Sequence, residues 1–332
     1  MEDTGFQCPQ CQYNLTGAPG PRCPECGWWI EWPRFATPAG NERPEVTPFA
    51  VELAERLGPG RIAVEFDATR PADPPALEAM IDSTWLACRA EAERTQRVLF
   101  NGSLVGLHGW RQQGDVLRLE ARPSDYRAFM GTNFCNGHRV GEFGLEAFAN
   151  PLGTSAMVRT RDGWLVFGRR REQLACHGGH LHVIGGCLTP EDRGPGDDLD
   201  VFLSIRRELH EELIVTDDEI AELVCIGLLR DRATHQPEMV FDATLTLTLA
   251  ELRARFNPEA PDQEHAALEA CHDEPESVLP FLERAEPVVP VAVGAVLLHG
   301  YHDWGPDWYE STCYLLFGEL PPRSSLSGTP AS

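Results

Sequence analysis

The stretch "RRELHEELIV", residues 206–215, sets Glu208, Glu211 and Glu212 at i, i+3 and i+4. On a helix this spacing brings the three carboxylates to one face, about one turn apart. Like charges so placed repel, so such a helix needs a compensating partner. The longer run "DLDVFLSIRRELHEELIV" reads as that helix: Phe202, Ile205, Leu209 and Leu213 form an apolar stripe, and the glutamates lie off it. Upstream, "LHVIGG" reads as a short strand ending in Gly185-Gly186, where missing side chains allow close backbone approach. Carboxylates on one face beside such a strand end suit a hard divalent cation. Mg²⁺ takes oxygen ligands and keeps waters and substrate phosphate oxygens in its shell, and its charge offsets the repulsion. Arg207 points away from Glu208 and is expected to pair with a carboxylate of the preceding loop, Glu191 being the first choice.

Composition narrows the function classes. The chain has 332 residues and a net charge of −23. That balance argues against a general nucleic-acid binder, which needs Lys and Arg to displace counterions, and disfavours anionic membrane surfaces. An anionic substrate would need a local basic patch or a metal ion. No apolar run approaches the roughly 18–20 residues of a membrane span. The start "MEDTGFQCPQ" is polar and acidic, unlike a signal peptide, so a cytoplasmic location is expected. Of eleven cysteines, seven are scattered. An odd total without a secretion signal speaks against a disulfide framework.

The other four cysteines, Cys8, Cys11, Cys23 and Cys26, form C-x2-C, an eleven-residue loop, then C-x2-C. Two such knuckles complete a tetrahedral Zn²⁺ site. Four ligands close the site, so its role is expected to be structural, with the metal supplying the folding energy of a ribbon over 1–32. Residues 33–48 are Pro-rich and read as a linker. From 49 to about 100 the chain reads as helical, with Leu77, Met80, Ile81, Trp85 and Leu86 near helical period, followed by short strands at NG, HG and QG turns. These make an expected α+β subdomain over 49–145. The main domain, 146–320, opens with a hairpin turning at Asp162-Gly163. It continues through strands "LVCIGLLRD" and "EMVFDATLTLTLA" to a strand-to-helix stretch "PVVPVAVGAVLLHGY". The tail, 321–332, reads as disordered. The fold class is α/β.

The glutamate helix resembles the Nudix box, G-x5-E-x7-R-E-U-x-E-E-x-G-U, where U is a bulky aliphatic. Gly185-x5-Glu191 matches its first part, and Arg207-Glu208-Leu209-His210-Glu211-Glu212 with Val215 its second. Two departures stand out. The gap between Glu191 and Arg207 is eight residues longer than the pattern, which a surface loop can absorb. The closing glycine is Ile214, which puts the turn after the helix in question. The segments "DYRAFMGTN", "FANPLGTSA" and "LVFGRRR" further resemble the UDP-sugar diphosphatase branch, the UDP-glucose/UDP-galactose hydrolases.

The resemblance implies a Nudix α/β/α sandwich behind an N-terminal subdomain. It also implies Mg²⁺-dependent cleavage of a UDP-sugar to UMP and hexose 1-phosphate, with Mn²⁺ able to replace Mg²⁺. By position, it makes Glu208 and Glu212 the Mg²⁺ ligands, with Glu211 as ligand or base and Arg207 beside them. Phe100 and Tyr126 would contribute to the nucleotide pocket, and Arg170 would meet the diphosphate. Residues alone also single out Arg170, which ends a strand in the basic cluster "RRR".

Glu238 and Glu276 are further general-base candidates, Glu238 ranking higher because it opens the strand "EMVFDA". His180 and His182 alternate by two and so share a strand face, where His182 could line the sugar or phosphate pocket. His210 faces away from the glutamates. Competing readings are a Nudix pyrophosphatase of NADH or ADP-ribose and a non-catalytic Nudix ligand sensor. NADH pyrophosphatases also carry a four-cysteine ribbon, but close before the catalytic domain. In the sensor reading the ribbon docks on this chain or on a partner protein.

Overall fold

The hairpin at Asp162-Gly163 forms the middle of the larger sheet in the computed structural model. The model describes residues 47–69, 73–95, 97, 99–174, 176–260 and 263–317. The four-cysteine segment with Cys8, Cys11, Cys23 and Cys26, the linker up to residue 46 and the 321–332 tail lie outside the described residues. The strands are β1 (Phe49–Leu53), β2 (Ile62–Phe66), β3 (Ser103–Gln113), β4 (Val116–Asp125), β5 (Gly153–Arg159), β6 (Trp164–Arg170), β7 (Leu181–His182), β8 (Ile184–Cys187), β9 (Ile220–Asp231), β10 (Pro237–Leu245) and β11 (His265–His272). The helices are α1 (Pro75–Thr95), α2 (Tyr126–Phe129), α3 (Val140–Phe143), α4 (Val201–Leu213), α5 (Leu249–Arg255), α6 (Pro275–Arg284), α7 (Pro290–Asp303) and α8 (Pro306–Phe317).

The larger sheet runs β1-β9-β10-β5-β6-β11, with β7 paired to β6 and β8 to β5. β5 is buried along nearly its whole length and pairs in parallel with β10, so both its faces must be covered. Alternation along β10 shows how. Phe241 packs edge-on against Phe202 of α4, ring centroids 5.2 Å apart. Its neighbour Asp242 points the other way and meets His299 of α7 at 2.9 Å. The sheet is therefore sandwiched between α4 and α7, an α/β/α arrangement. α7 is buried from Val291 to Gly300, as befits a helix apolar on all sides.

Two expectations need correction. Residues 49–53 and 62–66 are strands, not helix; the helical pattern holds only over Pro75–Thr95. β1 joins the larger sheet antiparallel to β9, across the expected 145/146 boundary. The smaller sheet, β2-β4-β3, also shares the core: Val105, Leu107, Leu117, Leu119 and Ala121 pack in one cluster with Ile205, Leu209 and Phe241. The edge of β3 is tied on by Val105 N–H to Leu188 O at 2.9 Å and Leu107 N–H to Asn150 O at 2.8 Å. Hence 49–145 shares the core of the larger sheet, beside smaller clusters of its own around Leu77, Met80 and Ile81 and around Phe129, Met130 and Phe134. The strand "EMVFDATLTLTLA" ends at Leu245 because Thr248 caps α5, forming a capping box with Glu251.

His299 is the buried pin of the α7 face. It lies 2.9 Å from Asp242 and 3.0 Å from Asp273, which also pairs with Arg159 at 3.1 Å. Asp303 lies beside this group but is already paired with Arg56 at 3.0 Å. Two arginines thus neutralise the cluster, which reads as an ionic staple. Burial pulls the imidazole toward neutrality, but the two carboxylates outweigh it and raise its pKa to about 10. A raised pKa contributes stability in full below the unfolded value near 6.5 and loses it as pH rises through about 10. His299→Gln is expected to cost about 3–5 kcal/mol near neutral pH and to flatten the loss of stability between pH 7 and about 10. Denaturant titrations of both proteins across that range check this.

Candidate active site

Helix α4 begins where Asp200 caps it, accepting from Phe202 N–H at 2.8 Å. Phe202, Ile205, Leu209 and Leu213 are all buried, each contributing about 2 kcal/mol. That burial exceeds the few tenths of a kcal/mol by which like-charge pairs one turn apart oppose a helix, so the stripe fixes where the glutamates go. Glu208 and Glu212 face β8 and are 8% and 5% exposed, whereas Glu211 opens to solvent.

The expected close approach at Gly185-Gly186 is present. Gly185 N–H donates to Glu212 Oε2 at 3.1 Å. A Cβ on Gly186 would sit 2.1 Å from Glu208 Oε1, and one on Gly185 would sit 2.2 Å from Thr154 O. At Gly185 backbone leaves no room for a side chain, and at Gly186 a side chain would have to displace the Glu208 carboxylate. Below them, Thr154 and Ser204 hydroxyls bond at 3.0 Å and fasten α4 to β5. The "LHVIGG" strand is broken at Val183: β7 pairs with β6, while β8 crosses to β5.

Arg207 does not pair with Glu191. It grips Asp192 with two nitrogens, at 2.9 and 3.2 Å, and donates to Cys187 O at 3.1 Å. Asp192 is the better partner because it is buried and preset by Thr189, whose N–H and hydroxyl donate to it at 2.8 and 3.0 Å. Glu191 is exposed. Burial opposes ionisation of Asp192, yet Arg207 and Thr189 hold its carboxyl below the usual range. The extra length between Glu191 and Arg207 is a loop closed on itself: Gly194 N–H reaches Asp198 O at 2.8 Å and Asp200 N–H reaches Asp192 O at 2.9 Å.

Arg207 also lies 2.7 Å from Glu208 and 3.3 Å from Glu211. One guanidinium thus faces three carboxylates, those of Asp192, Glu208 and Glu211, while Glu212 lies beyond it. Burial, together with Glu212 and Glu211 and against Arg207, pushes Glu208 up to about 8. A carboxylate set with this excess of negative charge, offering oxygen donors only, fits a hard dication.

Arg170 and Tyr126 lie together near this surface. Tyr126 opens α2, and its hydroxyl meets Cys176 Sγ at 3.2 Å. Arg170 Nε donates to Cys176 O at 3.3 Å, and its Nη2 pairs with Glu264 at 3.1 Å. Cys187 lies between the two groups: burial and the carboxylates of Glu238, Glu208 and Glu264 raise its thiol pKa. Burial and the Arg170 charge lower His182 to about 3, so it is neutral, with Nδ1 2.6 Å from Val183 O. Phe100 is not enclosed with Tyr126; it is 72% exposed, two residues from Gly102, whose carbonyl accepts Tyr126 N–H. Of the base candidates, Glu238 is buried against Gly153 and bonded by Ser155, and burial raises it to about 8. Glu276 is exposed at the start of α6.

Sequence reasoning missed two features. "DYRAFMGTN" and "FANPLGTSA" bind each other: Asn133 Nδ2 donates to Asn150 Oδ1 at 2.9 Å, and Asn150 N–H returns to Asn133 Oδ1 at 2.8 Å. The likeness in those segments therefore marks a buried joint. The other is His265, 0% exposed, 3.1 Å from Glu212. It lies outside every motif, and only the β11–β6 pairing brings it there.

The helix ends with Ile214 in the left-handed region, φ 57° and ψ 38°, at the position where the motif has glycine. The turn survives substitution, at a cost of about 1–2 kcal/mol for a residue with a Cβ. Ile214→Gly is expected to raise stability by about 1 kcal/mol, since the side chain is 45% exposed and little burial is lost. Gly186→Ala is expected to lower it by about 1–3 kcal/mol by forcing Glu208 off β8. Thermal or denaturant unfolding reads both.

No protein-family model matches the chain. It is 27% identical over 211 residues to the human (Homo sapiens) uridine diphosphate glucose pyrophosphatase NUDT22, covering 56% of this chain and 69% of that protein. The mouse (Mus musculus) NUDT22 is 24% identical over 287 residues, 78% of this chain and 92% of that protein. Nudix hydrolase 9 of Arabidopsis thaliana is 25% identical over 224 residues, 56% and 70% respectively. Among the described residues no helix is long and apolar enough to cross a membrane. With a carboxylate helix seated on a Gly-Gly strand and homologues of this kind, the chain is an enzyme with the Nudix hydrolase fold, related at low identity to the NUDT22 proteins.

Proposed function

We propose that the protein hydrolyses the diphosphate bond of a UDP-sugar, UDP-glucose or UDP-galactose, to UMP and hexose 1-phosphate in the presence of Mg²⁺ or Mn²⁺. The observation that carries the reading is the buried pair Glu208 and Glu212 on β8, short of positive charge. The substrate class rests on the low-identity relatives named as UDP-glucose pyrophosphatases.

Glu208 and Glu212 would hold the cation, with Glu211 at its open side. A cation held there would supply charge neutralisation at phosphoryl oxygens and a lowered pKa for the attacking water. Water attacks one phosphorus, and the bridging P–O bond breaks toward the other phosphate. Arg207 keeps Glu208 in register through its anchor on Asp192. Arg170 meets the diphosphate and adds electrostatic stabilisation, exchanging its contact with Glu264. Tyr126 and the exposed ring of Phe100 serve the uracil side, and neutral His182 lines the sugar or phosphate. Glu238, raised to about 8 by burial, serves as base through its ionised fraction, which grows as the pH rises toward 8. The four cysteines Cys8, Cys11, Cys23 and Cys26 are proposed to hold a structural Zn²⁺, on their spacing alone.

Incubating the full chain with UDP-glucose and Mg²⁺ in ¹⁸O-water is expected to give UMP and glucose 1-phosphate, with label in one product only. Glu208→Gln and Glu212→Gln are each expected to lower kcat roughly 10²–10³-fold. Faster cleavage of NADH or ADP-ribose under the same conditions would move the substrate class. Tight binding of UDP-glucose without turnover under any divalent cation would make the protein a ligand sensor.

A further inference from the structure

His265 opens β11 and is completely buried. Its seat is cut by a glycine on the neighbouring strand: a Cβ on Gly168 would lie 2.2 Å from His265 Nδ1. Its backbone N–H donates to Gln263 Oε1 at 2.9 Å, and the same Gln263 side chain donates through Nε2 to Glu212 O at 2.9 Å. The β11 lead-in is thus clamped to the last turn of α4. The imidazole Nε2 lies 3.1 Å from Glu212 Oε1, yet neither ring nitrogen is aligned in a hydrogen bond. A buried donor left so is costly, about 1–3 kcal/mol, and is kept only where something compensates. Glu212 Oε2 already takes Gly185 N–H. The two oxygens of one carboxylate therefore lie beside a backbone N–H of β8 and a ring nitrogen of β11.

We infer that His265 is a positioning residue for Glu212: its Nε2–H becomes a hydrogen-bond donor to Oε1 when the carboxylate turns toward a divalent cation, fixing the ligand from behind. This deepens, and rests on, the reading that Glu208 and Glu212 hold a cation. Partners of this kind, one shell behind the metal ligands, typically carry 10- to 100-fold in metal affinity. His265 touches neither substrate nor cation, so it acts on affinity for the metal and on its geometry, not on the KM for the nucleotide.

The test is Mn²⁺ affinity of the purified full chain, read from the EPR signal of free Mn²⁺ without substrate. Two replacements of similar length are compared: His265→Met fills the seat without a donor, and His265→Gln keeps an N–H near Nε2. Met is expected to weaken Mn²⁺ binding about 10- to 100-fold and Gln to restore most of the affinity. The nucleotide KM at saturating Mn²⁺ should stay within about twofold in both. Equal affinity in Met and wild type, or equal loss in Met and Gln, overturns the inference. If Met does not fold, Gly168→Ala pushes the native ring off Glu212 and should show the same loss; unchanged affinity there overturns it as well. A wild-type protein with no Mn²⁺ site overturns the functional reading beneath it, whereas an intact site indifferent to residue 265 overturns this inference alone.

Discussion

Everything at the site depends on how near α4 can come to β8. Glu208 rests over the backbone of Gly186 so closely that a methyl group there would displace its carboxylate. That closeness buries two carboxylates, and burying charge costs several kcal/mol per ion unless it is paired. Arg207 divides itself between Asp192, at 2.9 and 3.2 Å, and Glu208, at 2.7 Å, so it steadies the helix and neutralises the glutamates only in part. The fold thus uses apolar burial along Phe202, Ile205, Leu209 and Leu213 to hold an electrostatic arrangement that opposes itself. Such an arrangement persists because the adjoining apolar stripe on the same buried side of the helix outweighs it.

The part of this legible in the sequence is the part with a local cause. The helix, its stripe, the glutamate face, the Gly-Gly strand end and the Asp162-Gly163 turn follow from periodicity and from the missing Cβ. The seat of Arg207 was misread by one residue, because inward or outward direction in a loop depends on contacts such as that of Thr189 with Asp192. His265 was invisible for a stronger reason. Its neighbour Glu212 is 53 positions earlier in the chain, and their meeting requires the β6–β11 register that sets His265 opposite Arg170. The strands β1 and β2 were read as helix because short mixed runs such as "FAVEL" carry no clear period.

The N-terminal segment shows how a subdomain can share its core with its neighbour. Its three-stranded sheet lays one apolar face on the core of the larger sheet. It is completed by α4 and β10 through Leu107, Leu119 and Phe241, and locked by the reciprocal amides of Asn133 and Asn150. Because Tyr126 lies in that segment, its distance from the carboxylate helix is set by the shared core and not by a hinge.

Ile214 makes the same point about motifs. A glycine at a helix end is needed when the left-handed residue must supply the turn unaided. Here the last turn has other support. Val215 is buried just beyond it, Gln263 donates to Glu212 O at 2.9 Å, and Arg255 lies beside Ile214 O while pairing with Glu219. Contacts from two later segments, at Arg255 and Gln263, hold the chain end in place. The residue that looks like a departure in the motif is thus tolerated by tertiary structure, and the carboxylates one turn earlier keep their place because the exit of the helix is fixed from outside.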